Sequence, residues 1–326
     1  MSVLKAVNRR KVIQYAATSS MGGAVALSRA AEIFPTRPIT LVVPWLAGGP
    51  TDSICRALAT AASKILGQPI VIVNKPGVEG TMGAATVARQ SNADGYTLAN
   101  MHTTVLRSSH MRNLGFDPLR ELTYIIGFTS FTPGVVVRAD APWKTWAELL
   151  LFAKANPGQV TYSSLGPGST LTLAMEEVGR VTGVKFLEVP YKGTADSTTG
   201  LLSGQTMLQV DTGVPMVLNG RARMLAFWGE QRNPMFKDVP TFRELGVNIV
   251  AQAPQGIVGP GGMSPLIVKT LHDAFLKGMD DAQFKKISAL NATEPWYRSS
   301  ADYRAWAVEA SANEARLVKL YGLEQR

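Results

Sequence analysis

Val42-Val43-Pro44-Trp45-Leu46-Ala47-Gly48-Gly49-Pro50-Thr51-Asp52 leaves an apolar run, passes a glycine pair and enters a run with helical spacing. Behind it, Ile39–Val43 is rich in β-formers. Ahead of it, Ile54, Leu58, Ala61, Ala62 and Ile65 recur at the spacing of one helix face. A strand that turns through glycines into a helix leaves the first backbone N–H groups of that helix without partners. They point one way, at the positive end of the helix dipole, and suit an anion.

Working outward, the same unit recurs. Residues 70–73 form the next apolar run, and a strand, helix and strand so closely connected make a parallel, right-handed unit. A second glycine loop, 74–84, leads into a helix over 81–89. After the turn at Asp94-Gly95-Tyr96, strands are expected at 97–101, 122–128 and 134–138. The organisation changes near 139–142. A helix over 143–155 is stopped by Asn156-Pro157-Gly158. A strand at 160–163 runs into a third glycine loop, Gly166-Pro167-Gly168-Ser169, and a helix over 170–181. A strand at 184–189 precedes Tyr191-Lys192-Gly193-Thr194 and another helix, and strands follow at 206–210 and 224–228. Residues 252–259 read as extended. The helical segments 265–279, 281–290 and 301–321 have no strands of their own, so they must cover a sheet made earlier.

The fold class is therefore α/β, with two domains, each a mixed, mostly parallel sheet flanked by helices. The economical division is a split first domain, 32–138 plus 255–326, and an inserted second domain, 139–254. Two crossings make a hinge, and the cleft between the domains is the expected ligand site. The loops 42–52, 74–84 and 162–170, facing one cleft, would form an anion site from backbone donors.

Composition narrows the function. The chain has 326 residues, 46% of them hydrophobic, enough for two cores of ordinary size. Its net charge is +9, but Lys5, Arg9, Arg10, Lys11 and Arg29 lie in the first 31 residues, which hold no acid, so the rest carries +4. No basic run with interleaved aromatics follows, which argues against nucleic acid. Residues 1–31 read as an export signal. Arg9-Arg10, a mildly apolar stretch over 15–27 and Ser28-Arg29-Ala30 resemble the twin-arginine type, the alternative being an ordinary secretory leader. No run approaches the roughly 20 apolar residues of a spanning helix. Cys55 is the only cysteine, so neither a disulfide nor a cysteine-based metal site is expected.

Catalytic signatures are missing. There is no phosphate-binding G-x-x-x-x-G-K-[ST], no dinucleotide fingerprint and no G-x-S-x-G elbow. The three histidines, His102, His110 and His272, form no metal-binding pair. No enzyme, cofactor or metal is expected. Within the loops, Asp52 either holds the first loop's shape or reaches a ligand amine. Trp45 either leans over the ligand or belongs to the core. Lys192 either pairs with a ligand carboxylate or is solvated. Glu79 makes the second loop less friendly to anions unless it turns to solvent or meets a cationic group.

Taken in order, the segments 35–52, 74–84, 93–99, 163–170, 189–205 and 239–246 resemble the Bug family of extracytoplasmic solute receptors, the binding proteins of tripartite tricarboxylate transporters. The resemblance covers the mature chain. It implies a two-lobed, Venus-flytrap (type II periplasmic-binding-protein) receptor that closes on a small carboxylate held largely by backbone N–H groups. It implies a soluble periplasmic monomer that delivers its ligand to membrane permease subunits, or alternatively presents its closed form to a sensor kinase. The family's first loop maps onto Trp45, Leu46, Ala47, Gly48, Gly49 and Asp52, and its second onto Val78 and Glu79. Thr103 and Thr104 match its hydroxyl-rich segment. Gly168, Ser169, Thr170 and Asp211 match its contributions from the second domain. Glu79, Thr172, Met207 and Trp45 depart from the family's usual residues.

Overall fold

The structure is a computed structural model that describes residues 34–90 and 92–324; the expected export signal lies outside the described residues. The chain begins with β1 (Ile39–Val43), α1 (Pro50–Leu66), β2 (Ile70–Asn74), α2 (Met82–Gln90), β3 (Thr97–His102), α3 (Thr103–Met111) and β4 (Leu122–Phe131). It continues through β5 (Gly134–Arg138), α4 (Trp146–Ala155), β6 (Thr161–Ser164), α5 (Thr170–Thr182), β7 (Leu187–Pro190), α6 (Thr194–Ser203), β8 (Leu208–Asp211), α7 (Val214–Leu218) and β9 (Ala222–Phe227). It ends with β10 (Ala253–Pro260), α8 (Pro265–Gly278), α9 (Ala282–Leu290), β11 (Thr293–Arg298) and α10 (Ser300–Leu320).

These strands make two sheets. The first has the order β11-β4-β10-β3-β1-β2, with β1, β2 and β3 parallel and β10 antiparallel to its neighbours. The second has the order β7-β6-β8-β5-β9, with β5 antiparallel to β8 and β9. Both are mixed and flanked by helices, an α/β fold.

Alternation along the strands sends side chains to opposite faces and so builds two layers of core on the first sheet. Ile39, Leu41 and Val43 of β1 pack with Ile54 and Leu58 of α1 and Leu271 and Phe275 of α8. Val42 points the other way, into a cluster with Val105 and Leu106 of α3 and Tyr303 and Ala307 of α10. The C-terminal helices thus cover the first sheet. Aromatic packing dominates the second sheet: Phe242 stacks on Trp228 at 4.5 Å between centroids and meets Trp146 edge-on at 4.9 Å.

Three features depart from the sequence reading. Residues 134–138, expected in the first domain, form β5 and pair with β8 and β9, so the chain leaves the first sheet at Thr132-Pro133. The run GVVVR is apolar throughout and carries no mark of which sheet it joins. An edge strand, β11, lies between α9 and α10, where only helices were expected. It carries Pro295 and is half-exposed, which hides it from a search for apolar alternation. Third, α3 directly follows β3, where no helix was expected. Its buried face includes Arg107 and Ser108, which blurs the apolar stripe.

The centre of the first sheet is tightly closed. β10 shifts register between Gln255 and Gly256, and a Cβ at Gly256 would sit 2.5 Å from the Ile126 carbonyl oxygen and collide with the Tyr303 ring. Tyr303 is 1% exposed and has nowhere to go. Overpacking of this kind destabilises by about 1–3 kcal/mol. Gly256→Ala is accordingly expected to lower the unfolding free energy by that amount, seen as a lower urea midpoint with the slope of the transition unchanged.

Candidate functional site

The first loop is built around Asp52. Gly48 takes a left-handed φ of 85° and donates its N–H to Asp52 Oδ2 at 2.9 Å. Arg56 Nε donates to the same oxygen at 2.9 Å, and Asn74 Nδ2 donates to Oδ1 at 2.8 Å. Asn74 Nδ2 also donates to the Trp45 carbonyl at 3.0 Å, tying the loop to the end of β2. Burial alone would raise the Asp52 carboxyl, but the bonds from Arg56, Gly48 and Asn74 together hold it below the usual carboxylate range. The acid is spent on the loop's shape.

Between the two sheets lies a cavity of about 90 Å³. Its wall has a common pattern. Gly49, Pro50 and Thr51 open α1; His102, Thr103 and Thr104 open α3; Ser169, Thr170 and Leu171 open α5; Gly193, Thr194 and Ala195 open α6. Each triplet is the N-cap and first two residues of its helix. Each helix follows a strand, so the carboxyl ends of β1, β3, β6 and β7 all point here, the usual ligand position in open α/β sheets. Trp45, Leu46, Phe131, Pro133 and Leu165 give the cavity an apolar collar. Among the described residues, no lysine or arginine lines it.

One threonine hydroxyl at the wall, Thr104 Oγ1, is buried without a protein partner, whereas Thr212 Oγ1, just beyond β8, lies against the Asp211 carboxylate. A buried hydroxyl left unpaired costs about 1–3 kcal/mol. Asp211 stands beside Thr212. Its carboxylate accepts from Thr194 Oγ1 at 2.7 Å and from the Thr212 N–H at 2.6 Å, and burial pushes its carboxyl above the usual range.

Of the residues expected from sequence, Trp45, Leu46, Gly49, Thr103, Thr104, Ser169, Thr170 and Asp211 line the cavity. Ala47, Gly48, Asp52, Val78, Glu79 and Gly168 do not. Val78 and Glu79 belong to a 3-10 turn, both with positive φ, and Val78 is half-exposed. The Glu79 carboxylate accepts from Arg112 Nη2 at 3.0 Å and lies against the Gly166–Gly168 backbone. The second glycine loop is therefore no part of the cavity wall. Its glycine serves Trp45 instead: a Cβ at Gly80 would sit 2.6 Å from the indole ring. Of the other departures, Met207 is exposed. Thr172 lies under the third loop, 2.7 Å from the Gly166 carbonyl and 2.6 Å from Glu188. Lys192 is exposed and lines nothing. The sequence reading placed Thr103 and Thr104 at the site without seeing that they open a helix, and it missed the start of α6. The Gly193-Thr194 pair after a strand was the one signal available for α6.

The fold agrees with comparison to known proteins. The sequence profile of the tripartite tricarboxylate transporter family receptor matches residues 54–323. The chain belongs to this family. It is 44% identical over 312 residues to a protein of the family known as UPF0065, from the gbd 5′ region of Cupriavidus necator, covering 94% of this chain and 95% of that one. The structure of the periplasmic binding protein BugD superposes with a TM-score of 0.84 at 28% identity, covering 90% of this chain and all (100%) of that one. R. palustris Rpa4515, solved with adipate, gives a TM-score of 0.83 at 29% identity over 89% of this chain and 98% of that one. Membership carries a periplasmic solute-binding role, and the family is one of receptors.

In this receptor, Trp45 is fixed by His102. Its indole Nε1 donates to His102 Nε2 at 3.1 Å, and the rings meet edge-on at 5.8 Å. That bond requires Nε2 unprotonated, with the ring proton on Nδ1. Burial agrees, pushing the His102 pKa from 6.5 down to about 4. The native state holds the ring neutral where the unfolded chain would take a proton. Its contribution is therefore fully present above about pH 6.5 and lost as pH falls towards 4, on the order of 3 kcal/mol. Urea unfolding between about pH 4.5 and 7.5 should show this acid loss, and His102→Gln should flatten that part of the curve.

Proposed function

We propose that this protein is an exported receptor that captures a small dicarboxylate between two lobes and delivers it to a tripartite tricarboxylate-type transporter. The lobes are the two sheets with their helices, and the hinge is the pair of chain crossings at Thr132-Pro133 and near Gln252. The observation that carries the reading is the ring of four helix N-termini around a cavity without a lysine or arginine.

Each helix N-terminus presents roughly half an elementary charge. Two from each lobe therefore amount to about one positive charge on each side, which matches one carboxylate at each end of the ligand. The apolar collar between them suits a short methylene chain. Adipate, the ligand of the similar R. palustris protein, has this form. Thr104 on one side and Thr212 on the other supply a hydroxyl for each end. A ligand that touches both lobes favours the closed arrangement by the sum of both sets of contacts, and this couples capture to a change of shape that the transporter reads. The two titratable groups at the cavity wall are already engaged: His102 accepts from Trp45, and Asp211 accepts from Thr194 and Thr212. The receptor would hold its ligand rather than transform it.

Calorimetry with succinate, adipate, citrate and acetate tests this. Dicarboxylates should bind more tightly than acetate, and no heat from any of the four would overturn the proposal. Thr104→Val and Thr212→Val should each weaken binding by about tenfold, the effect of one lost hydrogen bond of about 1.4 kcal/mol. Thr104→Val should not lower the unfolding midpoint, because it removes a buried hydroxyl that has no protein partner.

A further inference from the structure

Arg107 is a buried cation that the cavity does not use. It sits on α3 with its side chain 3% exposed, and its Nε lies 2.6 Å from Glu314 of α10, itself 6% exposed. Both residues belong to the helices that cover the first sheet. The other arm of the guanidinium crosses to the second sheet. Nη1 donates to the Gly168 carbonyl at 2.9 Å and reaches Thr170 Oγ1 at 3.3 Å. The ion pair thus grips the loop that opens α5, one of the four helix ends at the cavity.

The surroundings of this grip are closed. The Glu79 carboxylate and the Met111 thioether, both on first-sheet elements, pack on the bare Gly168 backbone, where a Cβ would sit 2.8 Å from Glu79 Oε2 and 2.9 Å from Met111 Cε. Further along α5, Glu177 Oε2 accepts from the Tyr321 hydroxyl at 2.6 Å, just past the end of α10. So α5, whose apolar face lies in the second sheet's core, is held at its start by α3 and farther along by the end of α10.

A guanidinium can do this and an ammonium cannot, because its planar fork offers separate N–H groups in fixed directions. One group is spent on Glu314, which fixes the side chain. Another takes a carbonyl oxygen of the loop, which fixes the peptide planes around Ser169 and Thr170 and so the aim of the N–H groups at the cavity. We infer that Arg107, braced by Glu314, is a positioning residue that latches the α5 loop to the first lobe and sets how long a bound ligand is retained. This rests on the reading of the cavity as the ligand site.

The latch acts after the lobes have met, so it belongs to dissociation rather than encounter. The test uses the full chain with adipate as probe, by stopped flow. Arg107→Lys should raise the dissociation rate about tenfold or more and leave the association rate within about threefold. The pair Arg107→Met with Glu314→Met removes both charges, so no lone charge is left buried, and should do the same. An unchanged dissociation rate, or a loss confined to association, overturns the inference.

A second readout does not depend on adipate. Leu151→Cys on α4 and Leu266→Cys on α8, 70% and 65% exposed, accept spin labels while Cys55 is fully buried. The distance between the labels should form one short population with Arg107 intact and gain a longer one in each latch variant. Identical distributions would overturn the latch. If adipate fails to bind the unaltered receptor, the ligand assignment falls while this measurement still decides the latch.

Discussion

With no lysine or arginine at its wall among the described residues, the cavity must meet any carboxylate with dipoles. That constraint orders much of the molecule. Dipoles are useful only if several converge, and convergence requires parallel strands whose carboxyl ends meet. Two sheets, each sending two such strands to one place, satisfy it. The loops that carry the donors must then be rigid, because a misaimed N–H loses most of its electrostatic worth. Asp52 stiffens the first loop by accepting from Gly48, Arg56 and Asn74. Ser169 caps α5 by accepting the Thr172 N–H at 3.1 Å. Buried polar side chains here serve mainly to aim backbone groups.

The titratable residues at the wall follow the same logic. His102 is kept neutral by burial and serves as an acceptor for Trp45. Asp211 is kept by two short hydrogen bonds from Thr194 and Thr212, in surroundings that disfavour its charge. Neither brings a fixed positive charge to compete with the helix ends. A site built this way discriminates by distance between donors more than by charge, which suits a family whose members share a scaffold but differ in what they bind.

Much of this was legible in the sequence. The β1–α1 loop announces itself because apolar strand, glycine pair and helical spacing occur within a few residues. The loop before α5 does so for the same reason. The start of α3 was hidden because a nine-residue helix with Arg107 and Ser108 on its buried face has no clean apolar stripe. Val78 and Glu79 lie away from the cavity wall, and a glycine loop looks the same in sequence whichever way it faces. Gly80 is bare to admit the Trp45 ring, a reason that only three dimensions reveal. The sheet to which Gly134–Arg138 belongs was likewise out of reach. A strand's partners are fixed by where the chain returns, and for this strand the return comes only at Leu208–Asp211 and Ala222–Phe227.

The position of β10 has a consequence for how the molecule is made. It is inserted between β3 and β4, so these two strands, consecutive among the strands of the chain, never touch in the sheet. The first sheet cannot close until the chain has come back through Ala253–Pro260. The second sheet and its aromatic core are contiguous, lying wholly between Gly134 and Ala251. A chain that emerges from its N-terminus can therefore complete the inserted half first. The leading strands must wait with open edges for their central partner, in the manner of slow, non-local topologies. The half that begins the chain is the half that finishes last.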